Sequence, residues 1–238
     1  MIRRGGAVPT IGGMRRRLAV VLLTALVVPA VALARSTDPH RRIEPADQRK
    51  ATSIVLKRSD FVAGWRKTAS KPESGAEYEC PGYRPDQSDL TLTGDVEAEF
   101  AAAQGFPLIS STVNVYKTRS QAVAAWTRSD KPGLAPCAAK VLKEEIEKDG
   151  GEVTLGRAGR VAFPRLAPRT SAYRIAFQVE IANAGRTSTV PFTVHLVALG
   201  HGRADATLVA FALGNGVPQT DLRAFAKLTA ARLAAAKL

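Results

Sequence analysis

The sequence predicts an α+β fold, in which an antiparallel β-sheet packs against helices. Apolar residues occupy every second position from Tyr173 to Ile181, and the runs 190–196 and 207–213 repeat this pattern after glycine-marked turns. An alanine-rich segment from Pro218 to Ala236 follows, with apolar residues at helical spacing. Alternation over this length is typical of antiparallel strands with one packed face. We expect the last helix to cover that face.

The rest of the chain predicts further helices and strands around this meander. The segment from Pro45 to Lys57 has the pattern of a helix, and Trp65 after it is expected to anchor the core. Strands are predicted at Leu90–Leu92, Val96–Phe100, Leu108–Tyr116 and Val153–Phe163, and helices after the Thr118–Gln121 capping box and from Cys137 to Lys148. The first of these two helices is expected to bury Ala122, Val123 and Trp126. Pro191 predicts an edge position or a bulge for the strand that contains it.

The amino terminus has the pattern of a secretory signal peptide. Three arginines at 15–17 precede an apolar run from Leu18 to Val31, and Ala32-Leu33-Ala34 fits the small-residue cleavage pattern. We therefore predict a signal peptide at 1–34, a disordered spacer at 35–43 and a single domain at 44–238. The protein would be secreted or extracytoplasmic, within the cell envelope. The alternative is an uncleaved segment that anchors the chain to the membrane.

Charge and cysteine content narrow the class of protein. The signal segment contains five arginines and no acid, so its removal lowers the net charge from +13 to +8. This excess suits an anionic component of the envelope, or simply keeps the surface solvated. It does not require nucleic acid, which an exported chain seldom meets. The two cysteines, Cys80 and Cys137, are expected to form a structural disulfide in an oxidising compartment.

The sequence contains no pattern typical of a catalytic, metal or cofactor site. Nucleophilic catalysis needs a serine or cysteine near an oriented histidine, and the chain has no G-x-S-x-G motif. Two cysteines and three scattered histidines do not match a zinc site, and no glycine-rich phosphate loop is present. We therefore expect no catalytic residues, no metal and no cofactor.

Two groups of polar residues are candidates for ligand recognition. Arg174, Gln178, Glu180, Thr193 and His195 alternate with the apolar positions of the meander, and would line a groove if a helix covers them only partly. They are ordinary polar surface if that face is open to water. Four arginines in and after the preceding strand could bind a phosphate or uronate, or could simply face solvent: Arg157, Arg160, Arg165 and Arg169.

The order of these features resembles the extracytoplasmic sensor domains of PknH-type actinobacterial serine/threonine kinases and related small exported proteins. The resemblance covers most of 44–236 and depends on a helix leading into D-F-V-A-G-W (60–65), a strand–helix unit at Ser111–Ser129, a cysteine-bearing helix and the final meander with its helix. It implies an antiparallel sheet flanked by helices, with a cleft for an unidentified ligand. Those domains have two disulfides, whereas this chain has cysteines for one.

These observations together predict an exported cell-envelope binding or sensor-like domain that is not an enzyme. Its partner would be an unknown small molecule or an anionic envelope component. Two alternatives stay open at this point: an extracytoplasmic hydrolase or transferase with an unrecognised site, and an interaction or scaffold protein of the envelope.

Overall fold

One eight-stranded sheet forms the centre of the protein in the computed structural model, which describes residues 38–68, 80–183 and 186–238. The main path of the sheet has the order β1-β3-β4-β8-β7-β6-β5. The strand β2 pairs with residues 99–102 of β3, on the same edge as β1. All strand pairs are antiparallel except β1 with β3. The predicted α+β class is confirmed. The predicted signal peptide lies outside the described residues.

The bounds of the elements in chain order are β1 His40–Arg41, α1 Pro45–Ile54, β2 Trp65–Thr68, β3 Thr91–Ala102, β4 Leu108–Tyr116, α2 Arg119–Ser129, α3 Leu134–Lys148, β5 Glu152–Arg160, β6 Arg169–Asn183, β7 Arg186–His201, β8 Ala204–Leu213 and α4 Gln219–Ala235.

The predicted meander is present as β6, β7 and β8. Tyr173 lies opposite Leu196 and Phe177 opposite Phe192, so the apolar positions of neighbouring strands share one face of the sheet. Phe211 of β8 joins this face through its contact with the Phe192 ring, at 5.4 Å between centroids. The period-two pattern therefore predicted the strands and their shared apolar face correctly.

The prediction that the last helix covers this apolar face is wrong, because the sheet is buried on both sides. The helix α3 covers the Tyr173 side with Ala138, Leu142 and Ile146. The helix α4 packs with α1 on the opposite face, where Leu233 and Ala226 belong to the same core as Leu208. The small alanines that alternate along β8 allow α4 to lie close to that face.

The part of the sheet before the meander differs from the prediction in two ways. Residues 91–102 form one strand rather than two short ones, with a register shift next to Gly94. A Cβ atom at Gly94 would lie 2.7 Å from the Asp47 carbonyl oxygen, so glycine lets α1 cross close to β3. In addition, β1 forms within the predicted disordered spacer, where the His40 amide donates to the Leu90 carbonyl oxygen.

Pro191 does not mark an edge strand, since β7 lies between β6 and β8. The last β8 partner in the ladder is Leu213, which pairs with Phe192. Beyond it, the Gly214 amide donates to the Pro191 carbonyl oxygen. Proline fits here because its missing N–H faces the turn that follows β8, and not a continuing strand.

The disulfide between Cys80 and Cys137 is confirmed. It joins the loop before β3 to the first turns of α3, and Tyr83 and Val141 pack around the two buried cysteines. The cross-link closes 57 residues of chain. It therefore fixes the loop before β3 to the helix α3.

We predict that replacing both cysteines by alanine lowers the free energy of unfolding by about 2–4 kcal/mol, because the unfolded chain regains the entropy of the closed loop. Urea unfolding of the parent protein and the double variant measures the difference. Equal stability of the two proteins would contradict a structural role. Peptide mapping without reductant should recover Cys80 joined to Cys137.

Candidate functional site

A cavity of about 500 Å³ lies between the sheet and the helix α2. Its floor is the part of the sheet where β3, β4 and β8 meet, and its walls are α2, the start of α3 and the loop from Tyr83 to Gln87. A volume of this size is typical of sites that hold a small organic molecule. The cavity is on the same face of the sheet as α3, beside the apolar core that α3 covers.

The floor of the cavity is polar, in contrast to the apolar part of the same face. The strand β3 contributes Asp95 and Glu97, which pair in the ladder with Asn114 and Thr112 of β4. The strand β8 continues this surface with Asp205, which lies opposite Asn114. Each of these strands has alternating residues, so its other face remains apolar and contributes to the core under α1 and α4.

Three of the cavity carboxylates have cationic partners. Arg41 of β1 contacts Asp95 at 2.5 Å. Arg169 of β6 contacts Asp205 at 2.8 Å. The carboxylate of Asp130, after α2, accepts from Arg160 at 2.8 Å and from the Tyr173 hydroxyl at 2.5 Å, so both of its oxygens are engaged.

Glu97 has no such partner within the described residues. Its carboxylate accepts from the Ser110 hydroxyl at 3.4 Å, and no Lys, Arg or His of the described segments lies within ion-pair distance of it. The side chain of Glu99 follows on the same face of β3 and is only 2% exposed. One of its oxygens accepts from the Thr68 hydroxyl, and the other is buried without a hydrogen bond to any described residue.

Burial raises the pKa of all four sheet carboxylates. Desolvation is the main cause for Asp95, Glu97 and Glu99, and the negative charge of Glu99 adds to it at Glu97. Desolvation raises the pKa of Asp205 to about 6, although the Arg169 guanidinium opposes the shift. The floor therefore concentrates carboxylates whose ionised forms are poorly solvated.

The wall opposite the floor is held by contacts that involve the disulfide loop. The Tyr83 hydroxyl donates to the Ser129 carbonyl oxygen at 2.7 Å, and the Gln87 amide donates to the Ser129 hydroxyl at 2.8 Å. The Cys80–Cys137 bond ties the same loop to α3. These links place Tyr83, Pro85 and Gln87 beside Trp126, which also lines the cavity.

Ser171 of β6 is a further unusual feature of the cavity lining. Its side chain lines the cavity and is 4% exposed, yet its hydroxyl makes no hydrogen bond to the described part of the chain. Burial raises the pKa of the Tyr173 phenol and the nearby Ser171 hydroxyl opposes this rise, although the two groups do not meet the geometry of a hydrogen bond. A buried hydroxyl without a partner is costly unless a ligand or water satisfies it.

The five residues predicted to line a groove occupy a different place. They lie on the face of β6 and β7 that α4 covers, and none of them lines the cavity. Arg174 is near the Thr193 hydroxyl at 3.4 Å, and Thr193 donates to the Gly214 carbonyl oxygen at 2.8 Å. Gln178 is exposed and Glu180 half-buried, further along β6.

His195 is 3% exposed and lies against Gly216, in the segment between β8 and α4. Its Nε2 is 3.4 Å from the Gln219 amide nitrogen, its one hydrogen-bond neighbour within the described residues. Its Nδ1 is buried without a partner in the same part of the chain. The hypothesis of a ligand groove at these five residues stays a prediction.

The residues that line the cavity were not recognised as a site in the sequence. The signal was present, since acids alternate with apolar residues in D-V-E-A-E (95–99). Alternation of this kind equally fits an ordinary solvent-facing strand. Trp126 was predicted to be buried with Val123; instead Val123 is 43% exposed, Ala125 is buried and Trp126 lines the cavity.

Two of the arginines considered for anion binding are engaged by the cavity acids. Arg160 pairs with Asp130 and Arg169 with Asp205. The Arg169 guanidinium also lies 6.0 Å from the centre of the Trp126 ring. These two arginines therefore neutralise acids of the cavity without lining it themselves. The anionic partner predicted from the arginines stays a prediction.

In the part of the chain that the structure describes, no group of three or more His, Cys, Asp or Glu could hold a metal ion. None of the helices described there has the length and apolar character needed to cross a membrane. Comparison with protein-family models, characterised proteins and solved structures finds no match to this chain.

The raised pKa of Asp205 predicts that this residue makes the protein less stable as the pH rises from about 4 to about 6. In this window the native state holds a proton that the unfolded chain has lost, so stability is greatest below it. The contribution is about 2–3 kcal/mol and should be absent from Asp205→Asn. Burial lowers the pKa of His195, and this gives the opposite trend in both proteins.

The measurement is the free energy of unfolding of the parent and of Asp205→Asn at a series of pH values. The difference between the two curves isolates Asp205, because His195 is common to both. The substitution would leave Arg169 without its anion, so an overall loss of stability is expected as well. Curves that stay parallel between pH 4 and 6 would contradict the assignment.

Proposed function

We propose that this protein is an exported, non-enzymatic binding domain of the cell envelope, with sensor-like character, that holds a small ligand in the cavity between the sheet and α2. The observation that carries the proposal is the cavity itself: about 500 Å³ beside a packed core, with a polar floor. The signal-peptide pattern at 1–34 and the disulfide support the extracytoplasmic location.

The composition of the lining supports binding. Apolar and aromatic groups occur beside convergent polar groups, among them Trp126, Tyr116, Asn114 and Thr207. Sites for small molecules have this mixture, in which apolar surface supplies affinity and a few polar groups fix orientation. The buried hydroxyl of Ser171 is a group that a bound ligand would satisfy.

The surroundings of His195 favour binding over catalysis. Its hydrogen-bond neighbour among the described residues is the Gln219 amide, and not a serine or a carboxylate that could act with it on a substrate. The resemblance to kinase sensor domains belongs to this proposal as well. It would make ligand binding, and not catalysis, the property that the two kinds of domain share.

We predict that the protein purified from its own cell envelope carries a small molecule in this cavity. Native mass spectrometry would show it as added mass on the intact chain, which should begin at Arg35 after cleavage. Ala198→Phe places an aromatic ring in the cavity and should abolish the added mass. The matched control is Ala176→Phe, whose half-buried side chain lies on the other face of the sheet.

The proposal fails if the parent chain carries no added mass, or if Ala198→Phe retains it as well as the parent does. Thermal unfolding of both variants checks that they are folded. Loss of the added mass in Ala176→Phe but not in Ala198→Phe would place the ligand on the α4 side, near Arg174 and His195, as the sequence predicted.

A further inference from the structure

The cavity and the protein as a whole have opposite charge. The chain has a net charge of +13, yet the residues that line the cavity include five carboxylates and one guanidinium. The five acids are Asp38, Asp95, Glu97, Asp130 and Asp205, and the guanidinium is that of Arg41. In a basic protein, random placement of charges would not gather acids in one concave site. Such a site attracts cations locally, even where the overall field repels them.

Glu97 is the member of this group that lacks a counter-charge within the described segments. Asp95, Asp130 and Asp205 each pair with an arginine, as described above. Glu97 is half-buried between Asp95 and Glu99 on the same face of β3, and has only the Ser110 hydroxyl at 3.4 Å. A partly buried carboxylate with two acidic neighbours destabilises the fold unless something neutralises it.

A second, independent observation indicates that the cavity is incomplete without a ligand. The Ser171 hydroxyl lines the cavity, is 4% exposed and has no hydrogen bond to any residue that the structure describes. Ser171 belongs to β6 and not to β3, so its lack of a hydrogen bond is independent of the acidic residues in β3. Cross-strand pairing places Ser171 in the same row as Glu97 but four strands away, about 19 Å along the sheet. A ligand that satisfies both would therefore extend along the cavity, with a polar group at one end and a positive group at the other.

The structure also contains an example of how a cation fits here. The Arg41 guanidinium lies 2.5 Å from Asp95 at the neighbouring acidic position of β3, although the arginine side chain is 64% exposed. Same-face positions of a strand are about 7 Å apart. A second cationic group beside Arg41 would therefore meet Glu97. Trp126 already faces one cation, with the Arg169 guanidinium 6.0 Å from its ring centre.

We infer that the ligand of the cavity is a small organic cation that carries an ammonium or guanidinium group, with Glu97 as the carboxylate that binds this group. The inference depends on the proposed function and names the chemical class that the same cavity takes. Asp95 and Asp205 are held by their arginines and shape the site. Glu97 determines the specificity for a cation, because its charge is the one that the ligand neutralises.

The test uses calorimetric titration of the purified, ligand-free protein with agmatine, which has a guanidinium at one end and an ammonium at the other. Glucose and 1,4-butanediol serve as neutral polar probes and calcium chloride as a metal ion. We expect saturable binding of agmatine that weakens as salt is raised. Glu97→Gln should reduce the affinity at least about tenfold and should not lower stability, since it removes a poorly solvated charge.

The control variant is Glu152→Gln, which neutralises an exposed acid on the edge strand β5 and should bind agmatine as the parent does. The inference is overturned if agmatine does not saturate, if Glu97→Gln binds it as well as the parent, or if only glucose or calcium binds. A neutral or anionic compound found by mass spectrometry and displaced by Ala198→Phe would also overturn it, while leaving the proposed function intact. Agmatine that binds both Glu97→Gln and Ala198→Phe as well as it binds the parent lies outside the cavity. This result overturns the inference, whereas the proposed function stands or fails on the native mass spectrum.

Discussion

The pairing of β4 with β8 is the interaction on which the rest of the structure depends. It joins the sheet formed by the first half of the chain to the meander formed by the second, over eight residue pairs from Leu108–Phe211 to Val115–Ala204. The pairs alternate between the two faces, so Val113 and Ala206 enter the core under α4, whereas Asn114 and Asp205 form the cavity floor. One ladder therefore builds a core and a cavity at the same time.

The cavity exists because one face of the sheet is covered unevenly. The helix α3 packs on the apolar part, around Phe177 and Phe192, while α2 contacts mainly the Leu92 and Tyr116 end. Between them the floor is polar, and its carboxylates would be expensive to bury under a helix. The disulfide loop spans the remaining side through Tyr83 and Gln87. The cross-link thus contributes to the shape of the cavity as well as to stability.

Electrostatics explain how a basic protein tolerates this arrangement. Arg169 and Arg160 balance Asp205 and Asp130 from outside the cavity lining, so the acids remain inside without excessive repulsion. At Asp205 desolvation outweighs the Arg169 guanidinium, and the pKa of the carboxyl is raised. Carboxylates with shifted pKa values at a concave site are typical of places where a ligand binds and neutralises their charge.

The sequence by itself determined the strands of the meander, the helix α3 with its buried Ala138 and Ile146, and the Cys80–Cys137 bond, because local periodicity and cysteine count depend on no distant contact. Only the tertiary structure decided which helix covers which face, since both faces of β8 carry residues small or apolar enough to be buried. It also decided that the acids of β3 line a cavity. Alternation shows that Asp95 and Glu97 share a face, but not whether water or a helix lies above them.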